Sequence, residues 1–299
     1  MNVQAATPLP GVTVVIPAFN EEAAMARQLG EILAVMKQSG WTFEIIVVDD
    51  GSTDSTASLA EGCGVKVLRL GCNRGYGAAL KAGIQAAAHD RILIIDADGT
   101  YPARAIPRLL ERASSADMVV GARVGANLHI PMTRRPAKWL LGQYANLLAR
   151  RRIPDLNSGL RLMQKSSLRT FWDVLPPGFS FTTTITLAML ATGHEVSYVK
   201  IDYLPRLGKS KIRPTDFFRF LWLITKMALR FHPLRILFPL GLLSLPVSAA
   251  FLYRQSLASH WLVPGLACAV LAWTAGLVLE RRARLERGKN GGRHESAGH

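Results

Sequence analysis

The sequence predicts an α/β fold: a mostly parallel sheet with helices on both faces, followed by a membrane hairpin of two helices. Three observations predict it. Short β-branched runs alternate with helix-like segments between residues 11 and 205. Polar or glycine-rich motifs follow one strand after another. Two charge-free apolar runs lie near the end of the chain, at 236–253 and 261–279.

The expected strands are VTVVI (12–16), FEIIVV (43–48), VKVLRL (65–70), RILIID (91–96) and DMVVG (117–121). Each is short and ends on Gly, Pro, Asp or Asn. Helix-like segments fall at 20–38, 53–61, 77–88 and 103–114. Apolar strands separated by helices belong to parallel sheets buried on both faces. Ligands of such sheets bind beyond the carboxyl ends of the strands. The motifs PAFNEE, DDGSTDST, GCNRGYGAA, DADGTYP and GARVG stand at those ends.

Past residue 205 the chemistry changes. Residues 206–235 hold eight Lys or Arg and one acid, Asp216, interleaved with aromatic and aliphatic residues. That composition suits a basic amphipathic segment on a membrane surface. Each charge-free run has about the length of a membrane span, roughly 17–25 residues. Basic flanks on both outer sides, against the single Arg254 in the connecting loop, place both ends in the cytoplasm. The expected organisation is therefore a cytoplasmic catalytic domain (1–205), an interfacial segment (206–235), a multi-pass anchor in the cytoplasmic membrane (236–280) and a disordered basic tail (281–299). Residues 1–20 lack Lys and Arg, so no secretory signal is expected there.

The formal net charge of +15 suits anionic partners. The basic residues concentrate beside the apolar runs, which favours lipid over nucleic acid. Cys63, Cys72 and Cys268 have no metal-type spacing and fit reduced thiols.

The most pointed chemistry is in DADGTYP. Three aliphatic residues run into Asp96 and Asp98, one residue apart, and buried carboxylates need compensation. A D-x-D at a strand end offers hard oxygen ligands to Mg²⁺ or Mn²⁺, which complete their shell with substrate phosphates. A solvated Asp98-Gly99 turn is the plainer alternative.

The ordered series VVIPAFNEE, VVDDGSTDST, NRGYGAALKAGI and DADGTYP resembles the GT-A domain of the family 2 glycosyltransferases. With GARV, DLNSGLRLM, RLGKSKI and the hairpin, the chain is similar to the polyprenyl-phosphate glycosyltransferases, dolichol-phosphate mannose synthase among them. The resemblance implies that Pro17, Ala18, Asn20 and Glu22 line a base and ribose pocket. It implies that Asp49 or Asp50 bonds base or ribose, and that Gly75 and Gly77 let backbone approach the nucleotide. Gly75 and Gly77 are equally compatible with ordinary loop glycines. Asp96 and Asp98 would hold the metal and the donor diphosphate.

For the acceptor phosphate the resemblance implies Arg123, Arg135, Lys138, Ser158, Arg161, Arg206 and Lys211; Arg135 and Lys138 have no unique alignment to the family and fit a solvated or lipid-facing charge run equally well. Asp155 matches a family aspartate near the reacting centre, as orienter or base, or else a helix cap. Asp54 and Ser55 read as helix-capping residues. The implied reaction is inverting transfer of one sugar from a nucleotide-sugar to undecaprenyl or dolichyl phosphate. A family 2 enzyme with a hydroxyl acceptor is the alternative. The hairpin would anchor the domain and offer a contact for homo-oligomers. Departures from the family are Thr182, Thr183 and Thr184 where an acid is common, SGLR in place of SGFR, and Gly142 near a frequent Ser.

Overall fold

The structure is a computed structural model, and it describes residues 11–124, 135–205, 216–254, 271, 273 and 274. Seven strands form one sheet: β1 (Val12–Ala18), β2 (Phe43–Asp49), β3 (Lys66–Arg69), β4 (Arg91–Ile94), β5 (Met118–Arg123), β6 (Arg161–Gln164) and β7 (Val196–Ile201). Their order is β3-β2-β1-β4-β6-β5-β7. The five expected strands are present, within a few residues of their expected ends.

β1 is buried along all seven residues, as a central parallel strand should be. Alternate residues serve opposite faces. Val14 and Ile16 pack with Met25, Leu29 and Ile32 of helix α1 (Glu22–Gln38). Val15 packs with Leu80 and Ile84 of α3 (Tyr76–Ala86). A methyl on Gly83 of α3 would stand 2.4 Å from Val15 Cγ1, so this helix–sheet approach requires glycine. α2 (Thr56–Gly62) joins β2 to β3. The expected helix at 103–114 is instead a 3₁₀ turn (Ala103–Ala105) and a short α4 (Ile106–Leu110) with Pro107 in its first turn.

β6 and β7 were not expected. β6 runs antiparallel to both neighbours. Its first residue, Arg161, pairs with Ile94 and Val120 near the ends of β4 and β5. The DLNSG loop before β6 therefore stands at the same edge as the other motifs. β7 pairs with β5 in parallel over six residues.

α5 (Arg135–Ala149), α6 (Lys165–Thr170), α7 (Phe181–Ala191) and α8 (Asp216–Phe231) complete the α3 side. α8 is not merely a surface segment beyond a boundary at 205. Its Ile224, Met227, Ala228 and Phe231 belong to the same buried cluster as Ile185, Ala188 and Met189 of α7. α9 (Leu234–Arg254) covers the first expected span and contains Pro239 and Pro246. Among the described residues no single helix is long and apolar enough to cross a membrane. Phe217–Phe231 and Leu234–Pro246, bent by 99°, meet that test only as a pair. The second expected span and the tail lie outside the described residues, except for 271, 273 and 274.

Candidate active site

The carboxyl edge of the sheet is a network of loops tied by their own side chains. Asn20 follows β1 with φ of 53°, a left-handed conformation that Asn tolerates. Its Oδ1 accepts the Thr53 N–H at 2.8 Å, and its own N–H donates to Ser52 Oγ at 2.9 Å. Glu22 Oε2 accepts the Ser55 N–H at 3.1 Å. Asn20 and Glu22 thus clip the β1 loop to the β2 loop. Pro17 and Ala18 are buried inside β1. Asp54, as expected, serves the start of α2: its Oδ1 accepts the Thr56 N–H at 3.0 Å. Ser55 occupies the cap position without a side-chain bond.

Asp49 Oδ1 accepts the Ser52 N–H at 3.2 Å. Either Asp49 or Asp50 was expected to hydrogen-bond base or ribose, and Asp50 is committed elsewhere. Its two carboxylate oxygens instead accept the Arg74 and Gly75 N–H groups at 2.8 and 2.9 Å, which fixes the β3–α3 loop. Gly75 and Gly77 make room for protein backbone. A methyl on Gly75 would meet Pro177 O at 2.8 Å, and one on Gly77 would meet Pro176 O at 2.2 Å. These glycines admit the Pro176–Gly178 backbone, whose Pro177 carbonyl accepts the Ala78 N–H at 2.8 Å.

Asp96 and Asp98 lie just past β4. Tyr76 donates its hydroxyl to Asp96 Oδ1 at 2.8 Å. Burial first, then the Asp96 charge, raises the Tyr76 pKa well above its ordinary value and keeps that proton on the phenol. Gly159 presses on the same carboxylate: a methyl there would stand 2.1 Å from Asp96 Oδ2. Asp98 is buried, and its Oδ1 accepts the Thr100 hydroxyl at 2.6 Å and N–H at 3.1 Å. Both carboxylates are therefore oriented before any ligand arrives. Among the described residues no three His, Cys, Asp or Glu side chains form a metal cluster. Two oriented carboxylates remain a fitting donor set for Mg²⁺ or Mn²⁺ that shares its shell with phosphates and water.

Across the edge, Arg123 ends β5 and meets Asp155 side by side. Nε–Oδ2 is 2.6 Å and Nη2–Oδ1 is 2.9 Å, and the Arg123 N–H also donates to Oδ2 at 3.0 Å. Nη1 takes part in none of these bonds. The guanidinium lies 5.2 Å from the Tyr203 ring centroid and 5.9 Å from that of Tyr101. Burial pulls the Arg123 pKa down, but the tyrosines and Asp155 outweigh it and raise it well above its ordinary value. Tyr101 links both sides: its hydroxyl accepts the Gly159 N–H at 2.6 Å. Tyr76, Tyr101 and Tyr203 were missed as site residues, although NRGYG and DADGTYP display the first two.

Two expected phosphate ligands are structural. Arg161 is wholly buried on β6. It donates to Ser158 O at 2.7 Å, Leu156 O at 3.0 Å and Thr186 Oγ1 at 2.5 Å. Ser158 donates its hydroxyl to Gly121 O at 2.6 Å and is also wholly buried. Arg161 holds the DLNSG loop against α7, where Thr182 and Thr183 donate to Asn157 Oδ1 at 2.7 and 3.3 Å. Arg135 and Lys138 fall in the first turns of α5, their side chains outside the described set. Arg206 and Lys211 lie outside the described residues.

The family model described as glycosyl transferase family 2 matches residues 13–172, more than half of the 299 residues. The chain belongs to glycosyl transferase family 2. This family 2 enzyme is 29% identical over 215 residues to undecaprenyl-phosphate mannosyltransferase of Micrococcus luteus, covering 67% of this chain and 87% of that one. It is 38% identical over 138 residues to undecaprenyl-phosphate 4-deoxy-4-formamido-L-arabinose transferase of Pseudomonas paraeruginosa. That match covers 44% of this chain and 39% of the relative, so it spans about two fifths of the relative's length. Glucosyl-3-phosphoglycerate synthase from Mycobacterium tuberculosis, solved with UDP, superposes with a TM-score of 0.57 at 22% identity over 73% of this chain and 80% of that one. At that identity the likeness speaks for the fold. The same synthase has been solved with Mn²⁺, UDP and phosphoglyceric acid.

Proposed function

We propose that this glycosyltransferase moves one sugar from a nucleoside diphosphate to a polyprenyl phosphate at the cytoplasmic membrane face. The observation that carries this reading is the pairing of Asp155 with Arg123. A hydroxyl acceptor needs a general base. Asp155 has both its oxygens engaged by a guanidinium, the geometry of a positioning group. A phosphate monoester has a second pKa of roughly 6 and is largely dianionic at pH 7. It attacks without a base, and a cation must receive it. Arg123 suits that task, with Nη1 unengaged by Asp155 and the side chain 16% exposed. The curated relatives named for undecaprenyl-phosphate transfer support the same acceptor.

Asp98 and Asp96 would hold Mg²⁺ or Mn²⁺, which supplies charge neutralisation for the leaving diphosphate. Tyr76 holds Asp96, Thr100 holds Asp98, and Tyr101 holds the loop between them and Arg123. Donor and acceptor would then meet on opposite faces of the anomeric carbon, with inversion. Positioning and electrostatic complementarity supply most of the rate. α9 and the apolar run 261–279 would anchor the domain. With α9 in the bilayer, the 99° bend would lay α8 along the surface.

The test supplies membranes containing the protein with labelled UDP- and GDP-sugars and undecaprenyl phosphate. Label should enter the organic phase, depend on Mg²⁺ or Mn²⁺, stop with EDTA and fall on the order of a thousandfold in Asp98→Ala. Transfer only to a hydroxyl acceptor would overturn the proposal.

A further inference from the structure

α5 carries apolar side chains on both its inner and its outer face. Its inner face puts Leu141, Tyr144 and Ala145 into the core. Its outer face should be polar. Instead it displays Trp139, Leu140, Gln143 and Leu147, a stripe at i, i+1, i+4 and i+8. Trp139 is 66% and Leu147 72% exposed.

At the foot of this stripe stand three consecutive exposed arginines, Arg150, Arg151 and Arg152. Arg150 closes the helix with φ of 53°, and Asn146 Oδ1 accepts the Ile153 N–H at 2.8 Å, which fixes the turn. The arginines, Gln143, Asn146 and Leu147 line an open depression of about 560 Å³. Among the described residues no carboxylate pairs with any of the three. One basic residue would balance the helix dipole; three around a hollow exceed that need.

The neighbouring α8 repeats the pattern. Phe218, Trp222, Lys226 and Arg230 form its exposed row, aromatic first and basic last. Tyr144 and Thr225, near the middles of the two helices, are hydrogen-bonded at 2.8 Å.

We propose that Arg150, Arg151 and Arg152 form a binding site for the phosphate headgroups of anionic phospholipids, with Trp139, Leu140 and Leu147 entering the acyl boundary beside it. The inference rests on the membrane-surface placement proposed above and adds a lipid-selective site distinct from the acceptor site. Charge complementarity chooses the occupant. Guanidinium groups grip phosphate oxygens in pairs. Exposed tryptophan and leucine suit the interface between headgroup and chain. Nucleic acid would satisfy the arginines and leave the apolar stripe in water.

The test is flotation of the full chain with preformed vesicles of phosphatidylcholine, alone or with phosphatidylglycerol. Phosphatidylglycerol should strengthen binding, and the gain should shrink as salt rises. The triple variant Arg150→Gln, Arg151→Gln, Arg152→Gln should lose most of that gain. Three arginines at an anionic surface contribute on the order of a hundredfold in partition at low salt. The variant should still float on phosphatidylcholine and bind UDP like the parent. Equal flotation of parent and variant on phosphatidylglycerol vesicles would overturn the site while sparing the placement. Failure of the parent to float on either vesicle would overturn both. Arginine-dependent binding of inorganic phosphate or single-stranded RNA to the lipid-free protein, as tight as to vesicles, would also refute the lipid assignment.

Discussion

The two halves of the described chain treat polar and apolar groups in opposite ways. In the first half, up to Arg123, apolar side chains fill the core and polar ones bind each other at the sheet edge. Asn20, Glu22 and Asp50 accept backbone N–H groups from neighbouring loops, and Asp49 and Asp54 accept them from their own. In the second half an arginine lies wholly inside while Trp139, Leu147, Phe218 and Trp222 lie outside. Both buried side-chain oxygens without a partner among the described residues, on Ser167 and Tyr198, are there too. One half keeps its apolar groups inside and its polar groups at the edge, as a domain in water does. The other fits a boundary where water and hydrocarbon meet.

The largest effect on this contrast should come from Arg161→Met. It leaves Ser158 O, Leu156 O and Thr186 Oγ1 without their donor. The expected cost is roughly 3 kcal/mol, read as a lower Tm. An unchanged Tm with a raised KM for lipid phosphate would restore Arg161 to the acceptor site and erase the contrast.

Next come the glycines. Gly77→Ala forces a methyl against the Pro176 carbonyl and should cost about 1–3 kcal/mol. Gly30, inside α1, has open space around its Cβ position. Gly30→Ala should stabilise by about 0.5–1 kcal/mol. A denaturant midpoint that rises in Gly77→Ala as it does in Gly30→Ala would mean that the loop between α6 and α7 is not packed on α3.

The smallest effect concerns Tyr198. Burial, more than the neighbouring Asp155 charge, raises its phenol from 10.0 to about 12, against the opposing pull of Arg161 and Arg151. A raised acid pKa favours the neutral folded form. Its stability is fully present below pH 10 and is lost as pH rises towards 12. Tyr198→Phe should flatten that loss and leave neutral-pH stability equal or slightly higher, because the hydroxyl it removes has no partner among the described residues. Thermal melts of parent and variant across that range, if parallel, would show that the hydroxyl is not buried.

Local pattern was enough for the first half because parallel strands advertise themselves. Val12–Ile16 and Phe43–Val48 are nearly continuous apolar runs, and each is followed by a polar turn. β6 escaped because its four residues begin with an arginine and follow a motif that reads as a loop. VSYVKI of β7 alternates β-branched with polar residues and lacks the continuous apolar run of the central strands. Asp96 and Asp98 drew notice through the motif series around them, since a D-x-D by itself also fits a solvated turn. The tyrosines that orient or bridge them were visible as letters but not as partners, since Tyr76 and Asp96 lie 20 residues apart.

The sequence by itself determined the α/β class, the sheet edge at which the motifs gather and the basic, apolar character of the later segments. Periodicity and residue type are local, and these features depend on little else. Only the tertiary structure decided which charges turn inward and which stay at the surface. It turned Arg161 and Asp50 inward as struts, paired Arg123 with Asp155 and left Arg150, Arg151 and Arg152 outside. Those fates depend on which segments the sheet brings together, and an isolated arginine or aspartate looks the same whether it will grip a phosphate or a backbone carbonyl or amide.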